Sequence, residues 1–398
     1  MAKIALIADA YPPLRTSAAV QLQHLSIEFA RQGHFVTVIV PNPDQREQWR
    51  VDHTGAVRVL RLRSWQTKGV RLFRRLFAEM LMPFAMIYGY QRSSISRERW
   101  DAVVWYSPSI FHGPFIRMLK KSSGCKGYLI LRDIFPQWAL DTGVIRPGLP
   151  FSFLAAVARY QYTLADTIGV QSAGSKVFFQ KFAADSRQTG HVEVLNNWLG
   201  CSRRAKCSID LKATAIAGRK VLVYAGNMGA AQGMDILIAL CERFAHRRDV
   251  GFLFVGRGDR LDRLVAIASA RNLSNLVFRD EVEPEEVADL LSQCVAGLIA
   301  LDARHRTHNI PGKFLSYMQE GLPVLAAVNA GNDVAALIRN SEVGEVLEGD
   351  DINEFFECAL RLLDKIDSGF DFGARCRKLF EAEFMVEQAV AQITDAIS

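Results

Sequence analysis

The sequence predicts an α/β protein of two units, each a parallel sheet covered by helices on both faces. Three observations predict it. Short, near-continuous apolar runs alternate with helix-periodic segments along the chain. The alternation pauses at the polar stretch LGCSRRAKCSIDLKATAIAGRK (199–220) and then resumes with the same rhythm. Finally, 398 residues exceed what one ordinary core organises. Strands buried on both faces carry apolar side chains at consecutive positions.

In chain order, KIALIA (Lys3–Ala8) is the first strand, and AAVQLQHLSIEFARQG is an amphipathic helix stopped by Gly33. FVTVIVP, AVRVLRL, DAVVWYSP, GYLILRD, DTIGVQS and VEVLNNW are further strands. Past the polar stretch, KVLVYAGNMG, GFLFVGRG, LVFRDEV, CVAGLIAL, PVLAAV and GEVLEG are strands, with QGMDILIALCERFAHR and PEEVADLLSQC as helices between them. The reading gives Rossmann-like domains at 1–200 and 201–372, and a C-terminal helical segment, 373–398, that packs back on the first domain. One segment breaks the pattern. Residues 68–99 set Lys68, Arg71, Arg74 and Arg75 among Leu72, Phe73, Leu76, Phe77, Met80 and Leu81. Glu79 and Pro83 argue against a spanning helix. Two readings stand: a basic amphipathic helix on an anionic membrane surface, or a packed helix with a solvated basic face.

Composition narrows the classes. Apolar content of 49% with 23% charged residues is that of a globular chain, and no run of 18 clean apolar residues marks a membrane span. The first residues read as a strand and not as a signal peptide. Seven scattered cysteines with no Cys-x-x-Cys predict reduced thiols rather than a disulfide frame or zinc site. The net charge of +6 conceals an asymmetry, +13 over residues 1–190 and −7 over 191–398, which suggests different partners for the two halves.

Ligands of doubly wound sheets bind beyond the carboxyl ends of the strands, so the polar clusters there are the candidates. After the first strand, Thr16 and Ser17 open a helix, as caps or as phosphate-binding amides. Ser107 and Asp133 end first-half strands. YAGNMGAAQGMD offers Asn227, Gly229 and Gln232 in a glycine-rich turn. FVGRGDRL is a partial dinucleotide fingerprint with Leu261 where a third glycine belongs; Arg257 lies within it. Glu281 and Val282 follow a strand where backbone groups can read a base edge. In HNIPGKFLSYMQEGLPVLAA (308–327), Pro311 suits a helix start, and Phe314, Leu315 and Met318 keep helical spacing. His308, Asn309, Ile310, Pro311 and Gly312 therefore lead to free helix amides that suit an anion, with Lys313 as a point charge for a diphosphate. His305 and His308 lack a third metal ligand, and no Asp-x-Asp exists to bridge a metal diphosphate.

On the motifs YPP…SAAV, RDIFPQWALDTGVI, VLNNW, YAGNMGAAQGMD, FVGRGDRL, VEPEEVADLL and IPGKFLSYMQEGLPVLA, the chain resembles the retaining family 4 glycosyltransferases of the GT-B fold. Within that group it is similar to O-antigen and capsule sugar transferases. The resemblance implies two Rossmann-like domains facing across a cleft and a first domain that serves the acceptor. It implies a UDP-linked sugar donor as co-substrate, with no resident cofactor and no metal. The acceptor it implies is a saccharide on an isoprenoid diphosphate at the inner face of the plasma membrane, and nucleic acid is no partner. The chain is thus expected in the cytoplasm, peripherally bound through Arg71, Arg74, Arg75, Phe73 and Phe77. Aligning on Gly321-x-Pro323-Val324 puts Ser316 and His308 where the family block has its two glutamates. Asp133, His308 and Lys313 are then the catalytic candidates, Ser316 is a ribose contact, and Glu320 is a possible substitute for a missing acid. The family's first-domain histidine has no evident counterpart, with Tyr106-Ser107-Pro108 at that strand end and His112 further on; its basic pair in the second domain is also absent, with Ala231 and Gln232 nearby. Two other readings are a UDP-sugar 2-epimerase of the same fold and a non-catalytic nucleotide-sugar-binding subunit.

Overall fold

The structure is a computed structural model that describes residues 1–14, 16–67, 72–141, 143–183, 190–201, 204–229, 232–302 and 310–398. The chain divides into two compact units, Met1–Gly200 with Val386–Ser398, and Cys201–Met385. Two strand-and-helix units in series are what the alternating pattern predicts.

The first unit runs β1 (Lys3–Ile7), α1 (Ser17–Arg31), β2 (Phe35–Asn42), β3 (Trp49–Thr54), β4 (Val57–Arg63), α2 (Leu72–Arg92), β5 (Ala102–Tyr106), α3 (Gly113–Ser123), β6 (Lys126–Leu131), α4 (Gln137–Asp141), α5 (Leu149–Tyr162), β7 (Thr167–Val170), α6 (Ala173–Ala183) and β8 (His191–Val194). Its eight strands lie in the order β3-β4-β2-β1-β5-β6-β7-β8. All neighbours are parallel except β3, which pairs antiparallel with β4 at the edge. The sequence reading did not predict β3. Trp49–Thr54 is mostly polar, as a short edge strand tends to be. Successive side chains of β1 serve opposite layers. Ala5 and Ile7 join the core beneath α2, α3 and α5, while Ile4 and Leu6 join the core beneath α1. This two-sided burial explains the unbroken apolar run.

The second unit runs β9 (Lys220–Ala225), α7 (Asp235–Arg243), β10 (Val250–Val255), α8 (Leu261–Ala270), β11 (Leu276–Arg279), α9 (Val287–Ser292), β12 (Ala296–Ala300), α10 (Gly312–Gln319), β13 (Val324–Val328), α11 (Asp333–Ser341), β14 (Gly344–Glu348), α12 (Ile352–Asp367) and α13 (Phe372–Glu383). Its six strands are parallel in the order β11-β10-β9-β12-β13-β14. The order reverses between β9 and β12, so the carboxyl ends of these two strands flank the switch point.

The C-terminal segment differs from expectation. Residues 373–398 are not one returning element. Helix α13 stays in the second unit against α10, where Phe384 meets Phe314 edge-on at 6.0 Å. Only α14 (Val386–Ile397) lies in the first unit. It buries Val386, Ala389, Val390, Ile393 and Ile397 beside α1 and β6. Gln392 Nε2 donates to the carbonyl of Val194 at 2.8 Å.

The chain is free of disulfides, with all seven cysteines as thiols. Among the described residues no helix is long and apolar enough to cross a membrane.

The loops after β9 and β10 lie backbone on backbone, and glycines make this possible. A Cβ on Gly256 would stand 2.0 Å from the Gly226 carbonyl oxygen, and Gly256 has φ +143°. Gly256→Ala is expected to destabilise the second unit by about 2–4 kcal/mol through overlap and backbone strain. The midpoint of its thermal transition measures this, and a parent-like midpoint would refute the packing argument.

Candidate functional site

The second unit's site begins with a gap in its sheet. Strands β9 and β12 share only two register pairs, Leu222 with Ala296 and Val223 with Gly297. Beyond them, backbone groups of both strands need other partners. The phenol of Tyr317, on α10 and fully buried, fills the gap. Its hydroxyl accepts from the amide of Ala225 at 3.2 Å and donates to the carbonyl of Val223 at 3.1 Å. The Leu298 carbonyl lies 3.4 Å away on the other strand. The ring rests on Gly297, where a Cβ would stand 2.4 Å from it.

That anchorage places Lys313, one turn earlier in α10, near the carboxyl end of β9. Lys313 is half-buried. Its Nζ stands 3.5 Å from the centroid of the Tyr224 ring, and its Cε faces Gly226. Among the described residues no carboxylate lies within ion-pairing distance of it. Desolvation pushes its pKa down to about 7, as expected when burial disfavours the charged form. The result is an ammonium held over an aromatic face without an ion-pair partner.

Several predicted donor residues gather at the same end of this sheet. Tyr224 Oη donates to the Asn227 carbonyl at 2.6 Å and holds the Gly226–Gly229 turn. The amide of Met228 donates to the Arg257 carbonyl at 2.7 Å, and the amide of Gln232 donates to the Gly229 carbonyl. Arg257 forms a 3.2 Å ion pair with Glu281 at the ends of β10 and β11, both exposed. Val282 is half-buried next to Glu281. Ile310 is buried, while Pro311, Gly312 and Ser316 are half-buried. Pro311 is the N-cap of α10 rather than a residue of its first turn, a shift of one position.

Two features of the sequence reading find another explanation here, and Thr16 takes the capping role that the sequence allowed. The partial dinucleotide fingerprint is a packing motif, since Cβ atoms on Gly256 and Gly258 would strike the Gly226 and Met228 carbonyls. Glu320 pairs with Arg204 at 3.0 Å and so has a structural role of its own. Thr16 caps α1, its Oγ1 accepting from the Ala19 amide at 3.3 Å, and Ser17 beside it is exposed. His308, Asn309, Arg71 and Ala231 lie outside the described residues, as does the side chain of Phe73.

In the first unit, Asp133 follows β6 and is half-buried. Its neighbour Arg132 donates to Tyr106 Oη at 2.9 Å and to Gln21 Oε1 at 3.3 Å. A further pair was not among the sequence candidates. His112 Nε2 and Asp9 Oδ1 stand 2.6 Å apart, with the histidine fully buried. The two residues are 103 apart in sequence, and only the adjacency of β1 and β5 joins them. Their strand-end positions were the only available signal. Among the described residues no group of three or more His, Cys, Asp or Glu is placed to hold a metal.

Comparison with known proteins agrees with this architecture. Residues 219–365 match the family described as Glycosyl transferases group 1. The chain is 23% identical over 337 residues to the putative colanic acid biosynthesis glycosyl transferase WcaI of Escherichia coli (strain K12), covering 80% of this chain and 79% of that protein. It is 21% identical over 281 residues to the probable glycosyltransferase WbjE of Pseudomonas aeruginosa, covering 69% and 68%. Among solved structures, sucrose-phosphate synthase from Thermosynechococcus elongatus superposes with a TM-score of 0.76 at 14% identity, covering 99% of this chain and 97% of that one. WaaG, a glycosyltransferase involved in lipopolysaccharide biosynthesis, gives 0.67 at 15% identity, covering 99% of both chains. Anabaena HepE, in complex with UDP and glucose, gives 0.69 at 14%, also covering 99% of both. The fold is GT-B, and the chain is a glycosyltransferase.

Tyr317→Phe removes one hydroxyl and leaves the Ala225 amide and Val223 carbonyl without their partner. It is expected to cost about 1–3 kcal/mol, measured as a lower denaturation midpoint of the second unit. An unchanged midpoint would show that the phenol is not what holds the strand gap.

Proposed function

We propose that the chain is a retaining glycosyltransferase that moves a sugar from a UDP-linked donor to a lipid-linked saccharide in bacterial surface-polysaccharide synthesis. The observation that carries this reading is Lys313, which has no ion-pair partner among the described residues and stands at the switch point of the second unit. Departure of a nucleoside diphosphate needs stabilisation of developing negative charge. Lys313 and the first amides of α10 supply it without a metal. Arg257, Glu281 and Val282, at the ends of β10 and β11, suit the nucleoside portion. The UDP-bound structural neighbour, and the colanic acid and lipopolysaccharide biosynthesis in the names of two others, support the donor class and the pathway class. Asp133 and His308 remain catalytic candidates within this reading, and Ser316 a ribose contact.

The membrane partner rests on α2. Its inner face, Ala78, Met82, Met86 and Tyr90, is core, and Leu76 packs against that core too. Leu76 therefore does not insert, contrary to the amphipathic reading of the sequence. The outer face carries Phe77, Met80, Phe84 and Tyr88, with Phe77 64% and Phe84 58% exposed. Spacings of three, four and four align these residues in one stripe. Arg74 and Arg75 are exposed at the start of the helix, Arg75 paired with Glu79 at 2.9 Å, and Arg92 stacks on Tyr88. Aromatic side chains flanked by arginine suit an anionic lipid interface. The protein is placed in the cytoplasm at the inner membrane face on this reading.

Two measurements test the proposal. UDP affinity, followed by calorimetry from pH 7.5 to 9, is expected to fall by up to about tenfold per pH unit, because binding must return a proton to Lys313. Lys313→Arg, always charged, should flatten that slope, and Lys313→Ala should weaken UDP binding by about 10–100-fold. Parent-like behaviour of Lys313→Ala would overturn the diphosphate role. Flotation with phosphatidylglycerol vesicles at low salt tests the second partner. The parent should float, and the double variant Phe77→Ser, Phe84→Ser should remain at the bottom with an unchanged melting midpoint. A parent that never floats would reduce α2 to a packed helix.

A further inference from the structure

We infer that Asp9 is a saccharide-binding carboxylate of the first unit, held in position by His112. The inference rests on the glycosyltransferase reading, and it assigns the group that receives an acceptor sugar's hydroxyl.

Asp9 lies two residues beyond β1, and His112 lies just before α3, in the connection that follows β5. Strands β1 and β5 are neighbours, and the strand order of the first unit reverses there: β2, β4 and β3 extend to one side and β5 to β8 to the other. The pair therefore stands at the switch point, where ligands of such sheets sit. The two residues are not equivalent. The His112 side chain is wholly buried, while that of Asp9 is 29% exposed. Among the described residues the ring makes a single hydrogen bond, to Asp9 Oδ1, and its Nδ1 is buried with no partner. With no hydrogen-bond partner at Nδ1, the tautomer that fits places the proton on Nε2 and donates it to the carboxylate. A fully buried imidazole hydrogen-bonded to a part-exposed carboxylate fixes the rotation of that carboxylate. Oδ2 is left as an acceptor. Sugar hydroxyls are donors, and a carboxylate receives them in charge-assisted bonds stronger than neutral ones.

A tether between two loops would use the same hydrogen bond, and the substitutions separate the roles. Asp9→Asn preserves shape and still accepts from His112 Nε2–H, so a tether survives and only the charge is lost. The probes are octyl β-glucoside, octyl β-galactoside, octyl α-mannoside and octyl N-acetyl-β-glucosaminide below their micellar concentrations. Saturation-transfer NMR follows their ring protons on the full chain, and UDP binding is measured in parallel. At least one glycoside is expected to bind the parent through its sugar ring. Asp9→Asn should bind it at least tenfold more weakly, with melting midpoint and UDP affinity unchanged. His112→Ala should show the same loss, and His112→Gln, whose amide can donate in place of Nε2–H, should recover part of it. Parent-like glycoside binding by Asp9→Asn, or no ring contact by any glycoside, overturns the inference. A parent that fails to bind UDP overturns the donor reading instead, so the two failures are distinct.

Discussion

The second unit depends on one hydroxyl bridging a split between two strands. At the reversal of its strand order the second unit's sheet opens, with β9 and β12 paired at only two positions. Opening exposes backbone amides and carbonyls that cannot remain unpaired in a buried place. Tyr317 resolves this with a donor and an acceptor on one oxygen, in contact with β9 and close to β12. The same contact sets the register of α10 against the sheet. One helical turn back from an immobilised phenol, Lys313 has little choice of place. The aromatic face of Tyr224 and the bare backbone of Gly226 give its stem and ammonium room.

The glycines around this point form one system. The turn after β9 and the turn after β10 share hydrogen bonds at separations that side chains would prevent. A glycine pattern that can signal a dinucleotide cofactor therefore signals close backbone packing in this chain. Arg257 is carried along by that packing, and its side chain meets Glu281 beyond the third strand. A lysine and an exposed arginine–glutamate pair thus occupy the carboxyl edge of one sheet.

The first unit handles polarity differently. Its switch point buries a histidine and leaves a carboxylate partly open. Nearby, the Arg132 guanidinium donates to Tyr106 and Gln21, and Gln21 donates in turn to Asn197. The basic excess of this half lies in part on α2, whose arginines flank an exposed aromatic stripe. Each unit closes its own core, and the C-terminal helix α14 completes the first by covering α1 and β6.

The sequence by itself determined the α/β class, both sheets, nearly every strand and the helix start at Pro311-Gly312. Those features are local: apolar runs and helical spacing are set by the residues that carry them, and a proline–glycine start needs no distant partner. Edge strand β3 escaped because its polar residues lack a buried face to impose a pattern. The packing of Leu76 and the partner of Glu320 were not legible, because amphipathicity does not reveal which apolar residue meets the core or which acid has an arginine waiting. The Asp9–His112 pair and the Tyr317 bridge were decided by tertiary structure alone. Each joins residues about a hundred positions apart, and only strand order brings such residues within hydrogen-bond reach.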